Sequence, residues 1–309
     1  MKEKIRENLK ESGAVAVAFA RAGEIDSEDF LRYSKWIEGG NHATMEYLNR
    51  NSSLRQHTDK VLPGAKTVIS LAFSYVPNIW RDLAKPGVAV YAYGEDYHKV
   101  VNKKLRPIVT ELKEEFGGEW RVCVDSAPVA ERYWAIKSGL GRLTKSGNIW
   151  VEGAGTMCFL VEILTTIPIE PDLPTAPDVN ICEDCQVCID NCPGNTLSQN
   201  HILNASRCVS FLTIEKKGDF NSDEIKSLKS GIYKKGFLFG CDLCVRLCRL
   251  NRNLNPTAVK EFLPREEILN ITRKDVLKME ENEFCSKFRG SPIKRAKMEG
   301  LKRNARYCS

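Results

Sequence analysis

The sequence predicts a mixed domain of the α+β or α/β class, followed by a small module organised around cysteine-bound metal. Apolar strand-like runs alternate with amphipathic helical stretches as far as residue 165. Eight of the twelve cysteines then fall between 182 and 248. Pro168, Pro171, Pro174 and Pro177 separate the two regions and mark a boundary. With 309 residues, 42% hydrophobic and 28% charged, the chain can bury substantial cores. The same figures exclude the disordered, collagen-like and coiled-coil classes.

The elements follow in order. Residues 3–12 form a short amphipathic helix, and Ala14 to Ala20 is an apolar strand. Ser27 caps a helix that runs to Ile37 and is closed by Gly39-Gly40. Lys66 to Val76 and Val88 to Tyr93 read as strands rich in β-branched and aromatic residues. Asp96 to Phe116 is a helix ended by Gly117-Gly118, with Pro107 expected to kink or divide it. Trp120 to Asp125 is a strand, Pro128 opens the first turn of the next helix, and that helix ends near Gly139. Cys158 to Thr165 is a further strand.

The start, Met1-Lys-Glu-Lys, has neither the apolar stretch of a secretory signal nor the paired arginines of an export signal. No apolar run approaches the roughly 18 residues of a membrane span. A cytoplasmic protein without membrane association is the expectation. Charge is unevenly spread: Cys285 to Ser309 carries eight Lys or Arg against Glu299 alone, so the basic balance of +6 belongs to this end. Such a segment suits phosphate contact with a nucleic acid through counterion release.

In a cytosolic chain, clustered cysteines indicate metal or catalysis rather than disulfides. The run Cys182-x2-Cys185-x2-Cys188-x3-Cys192-Pro193 has the spacing of a ferredoxin-type iron–sulfur motif, in which the fourth thiolate serves a second cluster. A second run, Cys241-x2-Cys244-x3-Cys248, brings the total to seven, and Cys208 is the nearest eighth. Crossed ligation then gives Cys182, Cys185, Cys188 and Cys248 for one [4Fe–4S] cluster. Cys192, Cys208, Cys241 and Cys244 hold the other. Two structural zincs would use the same thiolates, but the Cys-Pro ending favours iron. Cys123 and Cys158 lie in apolar stretches and read as packed thiols.

Upstream there is no Gly-x-Gly-x-x-Gly and no phosphate loop. Asp96-Tyr97-His98 opens like the Asp-x-His-x-x-Gly signature that offers a histidine to cobalt, but the sixth position is Val101. Asp125 is the acid that stands out, at the end of a strand and before Ser126-Ala127-Pro128. It reads either as a helix cap or as a proton donor, and the donor role asks for a raised pKa. From local context His98 reads as an exposed helix histidine, Glu131 and Arg132 as a surface pair, and Tyr133 and Trp134 as core.

Several segments together resemble the epoxyqueuosine reductase family. They are Val61 to Ser70, Tyr91 to His98, Val124 to Arg132, Gly139-Leu-Gly141, Leu164 to Asp172, the cysteine pattern with Arg207 to Glu215, and Gly290 to Arg295 with Leu301 to Ala305. The resemblance spans nearly the whole chain in order. It implies a cobalamin-binding domain similar to nitroreductases and flavin reductases (residues 1–172), a ferredoxin-like module with two [4Fe–4S] clusters (173–260) and a basic C-terminal segment (261–309). It implies Asp125 as proton donor and cobalamin held without a histidine ligand. Arg55, Tyr97, His98, Asp125, Lys145, Ser210 and Asp242 become cofactor-binding or near-cofactor candidates. The substrate implied is the epoxide-bearing wobble base of a tRNA anticodon stem-loop, the partners that tRNA and a low-potential electron donor, and the state a monomer. Arg142, Leu143, Thr144 and Tyr93 depart from the family pattern along the expected cofactor wall. Competing readings are a cobalamin-dependent reductive dehalogenase, an electron-transfer protein without its own substrate, and a nucleic-acid-binding protein with structural clusters.

Overall fold

Two long strands with every or nearly every residue shielded from water organise the first half of the chain. In the computed structural model, which describes residues 1–82, 84–172, 180–197, 202–230 and 232–309, β1 (Ala16–Arg21) and β2 (Thr67–Ser74) pair antiparallel. With β4 (Trp120–Cys123) and β7 (Cys158–Thr165) they form a sheet of order β1-β2-β7-β4, antiparallel throughout. That makes the domain α+β rather than α/β. Pro174 and Pro177 of the expected boundary lie outside the described residues.

Strand alternation sends Phe19, Ile69, Leu71, Phe73, Val161 and Ile163 to one face. There they meet the apolar stripes of α1 (Lys2–Glu11) and α6 (Tyr97–Phe116). The other face receives Val68, Cys123, Leu164 and Trp134. Trp134 belongs to α7 (Glu131–Lys137). Along the chain between β1 and β2 run α2 (Ser27–Glu38) and three short helices, α3 (Glu46–Arg50), α4 (Ser52–Gln56) and α5 (Thr58–Val61).

Four expectations are corrected. Asp26, not Ser27, occupies the N-cap of α2, and its carboxylate pairs with Lys137 instead of capping. Helix α6 continues through Pro107, which sits on the exposed side where water can satisfy the Lys103 carbonyl it frees. Only Gly87–Val88 (β3) is a strand; Val90–Ala92 is a 3₁₀ turn, because the Asp242 carboxylate accepts the Val90 N–H that an extended strand would offer a neighbour. Helix α7 begins at Glu131, not Pro128, since Asp125 turns the chain with a left-handed φ of 44°.

Strand β3 pairs in parallel with β8 (Phe237–Phe239) of the cysteine-rich half. A small hairpin, β5 (Arg142–Leu143) with β6 (Ile149–Trp150), leads to the cysteine loops. Those loops carry α8 (Val187–Asp190), α9 (Val209–Ile214), α10 (Ser222–Lys229) and α11 (Leu243–Arg246). The C-terminal residues fold as α12 (Glu266–Asn270), α13 (Arg273–Lys278), α14 (Glu281–Lys287) and α15 (Lys297–Arg306). Their apolar faces close a second core with Val88, Val90, Tyr93, Leu238 and Phe239. Among the described residues no helix is long and apolar enough to cross a membrane.

The basic segment is therefore part of the fold. Arg303 is buried and donates to the carbonyls of Leu212, Lys216 and Gly218, and Asn304 donates to those of Thr213 and Leu238. Together they clamp α15 onto α9 and β8. Removing this guanidinium takes the donor from the buried Leu212 carbonyl and from two partly buried ones, and leaves a cavity under α15. Arg303→Ala should lower unfolding free energy by about 3 kcal/mol or more, read from the denaturant midpoint of the cluster-loaded protein.

Candidate active site

Asp96 caps α6 by accepting the backbone N–H of His98 on Oδ1 at 3.1 Å. The same oxygen accepts from His98 Nδ1 at 2.8 Å. Across the gap, Asp125 Oδ2 accepts from His98 Nε2 at 3.0 Å and from Tyr97 Oη at 2.7 Å. One helix cap thus aims an imidazole and a phenol at the strand-end carboxylate. Tyr97 is fixed by stacking on Phe159 at 4.2 Å and on the His98 ring at 4.1 Å.

The charges follow from this geometry. Burial works against a charged His98, but hydrogen bonds and attraction from Asp125 and Asp96 outweigh it and push its pKa up to about 9. Burial would raise Asp125, yet bonds from His98 and Tyr97 and the nearby charge of Arg55 hold it below the ordinary value of 3.8. The resting site is an imidazolium between two carboxylates. The proton expected on Asp125 resides on His98, and His98 is a half-buried hub rather than an exposed helix residue. Tyr97 is pushed upward by burial and the Asp125 charge, so its hydroxyl stays protonated.

Asp125 does not cap α7. Its own N–H donates to Glu131 Oε1 at 2.7 Å, so Glu131 turns toward the site instead of pairing on the surface with Arg132. Behind it Glu162 stands in the centre of the sheet, opposite Ser70 and Cys123, fully buried, with no partner on either carboxylate oxygen. Sequence context marks Glu131 only as a surface residue and leaves Glu162 unmarked. The available signal was an acid inside the apolar run Cys158-Phe-Leu-Val-Glu-Ile-Leu-Thr165. Arg55 lies in the same neighbourhood, its Nη1 donating to Val129 O at 3.2 Å while Nε is buried without a partner. Tyr133 and Trp134 are packed as expected, Trp134 in the core and Tyr133 at its edge.

The cysteines sort into two groups. Cys188 has Cys182, Cys185 and Cys248 as its electrostatic neighbours. Cys244 has Cys208, Cys192 and also Cys188, and Cys241 has Cys244 and Cys208. Cys182, Cys185, Cys188 and Cys248 line one cavity together with Thr144 and Ser146.

Residues 55–126 match the epoxyqueuosine reductase QueG, DUF1730 family, and residues 181–251 match the 4Fe-4S double cluster binding domain. An epoxyqueuosine reductase of Cyclobacterium marinum is 35% identical over 91% of this chain and 88% of its own. The chain belongs to the epoxyqueuosine reductase family. The family's Pseudomonas aeruginosa member is 33% identical over 97% of this chain and 84% of its own. Among solved structures, an epoxyqueuosine reductase with an epoxyqueuosine-modified tRNA-Tyr stem loop superposes with a TM-score of 0.87 at 27% identity, covering 99% of this chain and 80% of that one. The Streptococcus thermophilus epoxyqueuosine reductase gives 0.83 at 26% identity with the same coverage.

The remaining family-derived candidates lie elsewhere. Lys145 Nζ donates to the carbonyls of Glu183 and Cys185, and its backbone N–H to Cys182 Sγ at 3.3 Å, so it belongs to the first cysteine loop. The backbone N–H groups of Ser210 and Phe211 face the Cys208 thiol. Asp242 is engaged by Val90 N–H, on the strand-crossing side of the cysteine module. Tyr97, His98, Asp125 and Arg55 are the candidates that converge.

The sign of the pH dependence follows. Raised His98 contributes stability that is complete below 6.5 and lost as pH rises through about 9. Depressed Asp125 contributes above 3.8 and loses as pH falls through its lower folded value. An NMR titration of ring nitrogens should find His98 still protonated at pH 7.5. In Asp125→Asn its midpoint should move back toward 6.5; an unmoved midpoint would contradict the pairing.

Proposed function

We propose that this chain reduces epoxyqueuosine to queuosine at the wobble position of tRNA, with Asp125 delivering the proton. The observation that carries the reading is an imidazole and a phenol both bonded to one half-exposed carboxylate, in a chain that also matches a double-cluster cysteine module. Support comes from relatives that carry this activity by name along nearly the whole chain, one of them seen with a modified tRNA stem loop.

The two crossed cysteine sets would each hold a [4Fe–4S] cluster: Cys182, Cys185, Cys188 and Cys248, and Cys192, Cys208, Cys241 and Cys244. Cobalamin fits the Asp125 side on the chemistry of its donors. Both His98 nitrogens are occupied by carboxylates, so no imidazole there is free for cobalt. A corrinoid held without a histidine ligand agrees with that. When bound, the clusters and the corrinoid supply single electrons and a low-valent metal able to open an epoxide. Arg55, Tyr97, His98 and Asp125 would face that group, with the domain that holds it in residues 1–172, flavin-reductase-like in kind. The cluster module would occupy 173–260 and the basic segment 261–309.

Removing the epoxide oxygen as water consumes two electrons and two protons. Asp125, able to take the His98 proton across 3.0 Å, passes it to the alkoxide oxygen as that charge develops. Tyr97 keeps the carboxylate oriented. Ion pairing with Asp96 stabilises His98 as the proton store. Arg295 pairs with Glu215 and lies near enough to Asp125 and Tyr47 to interact with them, which brings the basic segment to the mouth of the site. Exposed Arg289, Lys294, Lys297 and Arg306 would meet the stem-loop phosphates, in the cytoplasm where tRNA is. A low-potential donor would reload the clusters.

Asp125→Asn should keep the cluster and corrinoid absorbance and lower turnover on epoxyqueuosine tRNA by about 10²–10⁴-fold; unchanged turnover would remove Asp125 from the chemistry. Replacing Arg289, Lys294, Lys297 and Arg306 with glutamine should weaken stem-loop binding and flatten its dependence on salt. Equal affinity and slope would assign the tRNA contact to another surface.

A further inference from the structure

Asp125 is held from two sides. Its side chain is tied to Tyr97 and His98, while its peptide has a φ of 44°, a conformation that costs a non-glycine residue about 1–3 kcal/mol and persists only when its surroundings impose it. The segment between β4 and α7 has no regular structure, and its internal bonds, Ser126 N–H to Val124 O and Val129 N–H to Ala127 O, do not involve Asp125. What holds the Asp125 N–H is the Glu131 carboxyl at 2.7 Å. We propose that Glu131 is the positioning residue for Asp125, clamping its left-handed peptide so that the carboxylate stays aimed at the reacting oxygen, with Glu162 as the buried carboxyl backing it. This rests on the reductase reading for the identity of the reaction, though not for the clamp itself.

An acid is an expensive choice for a clamp beside a carboxylate. The groups facing Glu131 are Asp125 from the loop, Arg55 from α4, Arg132 on its own helix, Glu162 from β7, Tyr97 from α6 and Cys123 from β4. Burial and the Asp125 charge push Glu131 up to about 8, and burial pushes Glu162 upward as well. Near neutrality Glu131 is therefore a neutral acid that accepts through its carbonyl oxygen without repelling Asp125. Above about pH 8 it gains a charge beside Asp125. Glutamine keeps the acceptor and cannot ionise; alanine removes it.

The test uses the cluster- and cobalamin-loaded protein and two readouts. Amide exchange of residues 124–131, followed by mass spectrometry without tRNA, should speed up by about fivefold to tenfold in Glu131→Ala and stay near the parent in Glu131→Gln. Turnover should fall by about a hundredfold in Glu131→Ala with KM for the tRNA unchanged, and return to within severalfold of the parent in Glu131→Gln. The alkaline limb of kcat, set near 8 in the parent, should move to the His98 range near 9 in Glu131→Gln. Unaltered exchange in Glu131→Ala, or equal damage from both substitutions with loss of cofactor absorbance, would overturn the clamp and leave Glu131 a packing residue. Altered exchange in a protein that does not act on epoxyqueuosine tRNA would keep the clamp and defeat the reductase reading.

Discussion

An imidazolium caught between two carboxylates is the constraint around which the upstream domain is arranged. Asp96 must both end the turn before α6 and receive the ring, which fixes where the helix starts. Asp125 must leave β4 and bend back sharply enough to meet the other nitrogen, which forces the left-handed peptide and delays α7 to Glu131. The stacked Phe159 sets the depth of Tyr97, and Phe159 lies on β7 in the middle of the sheet. Loop, helix and sheet are thus coupled through two rings and one proton.

Where a periodic apolar pattern decides the structure, sequence reading located it. Helices α1 and α6 and strands β1, β2 and β7 each bury a continuous stripe or run, and their residues announce it. The first cysteine loop was legible for another reason: a cubane fixes ligand spacing within one short stretch of chain, so Cys182, Cys185 and Cys188 could be expected to line one cavity. What was missed depends on contacts between distant residues. His98 gains its charge from Asp125, 27 positions away. Val90 turns because of Asp242, 152 positions away. Local context assigned Glu131 to a helix surface because the strained loop that reverses toward it exists only after the sheet and α6 have met.

The same distinction separates two kinds of basic residue in the C-terminal segment. Composition counts Arg303 with the phosphate-facing cations, yet it spends its donors on carbonyls inside the protein. Arg295 pairs with Glu215 on the outside, and Arg289, Lys294 and Lys297 remain in solvent. Net charge says how much basic character a segment has, and only burial divides it between cohesion and recognition.

The core that encloses Val88, Val90 and Tyr93 is completed by residues as late as Ala305 and Cys308. During synthesis these early apolar groups must wait, uncovered, until α15 has left the ribosome. The cysteine loops lie between the two ends of that closure. Filling of the thiol sites is then a step that can begin before this core has closed, which makes the interval before α15 emerges the period in which the cysteine-rich half is most exposed to aggregation and to oxidation of its thiols.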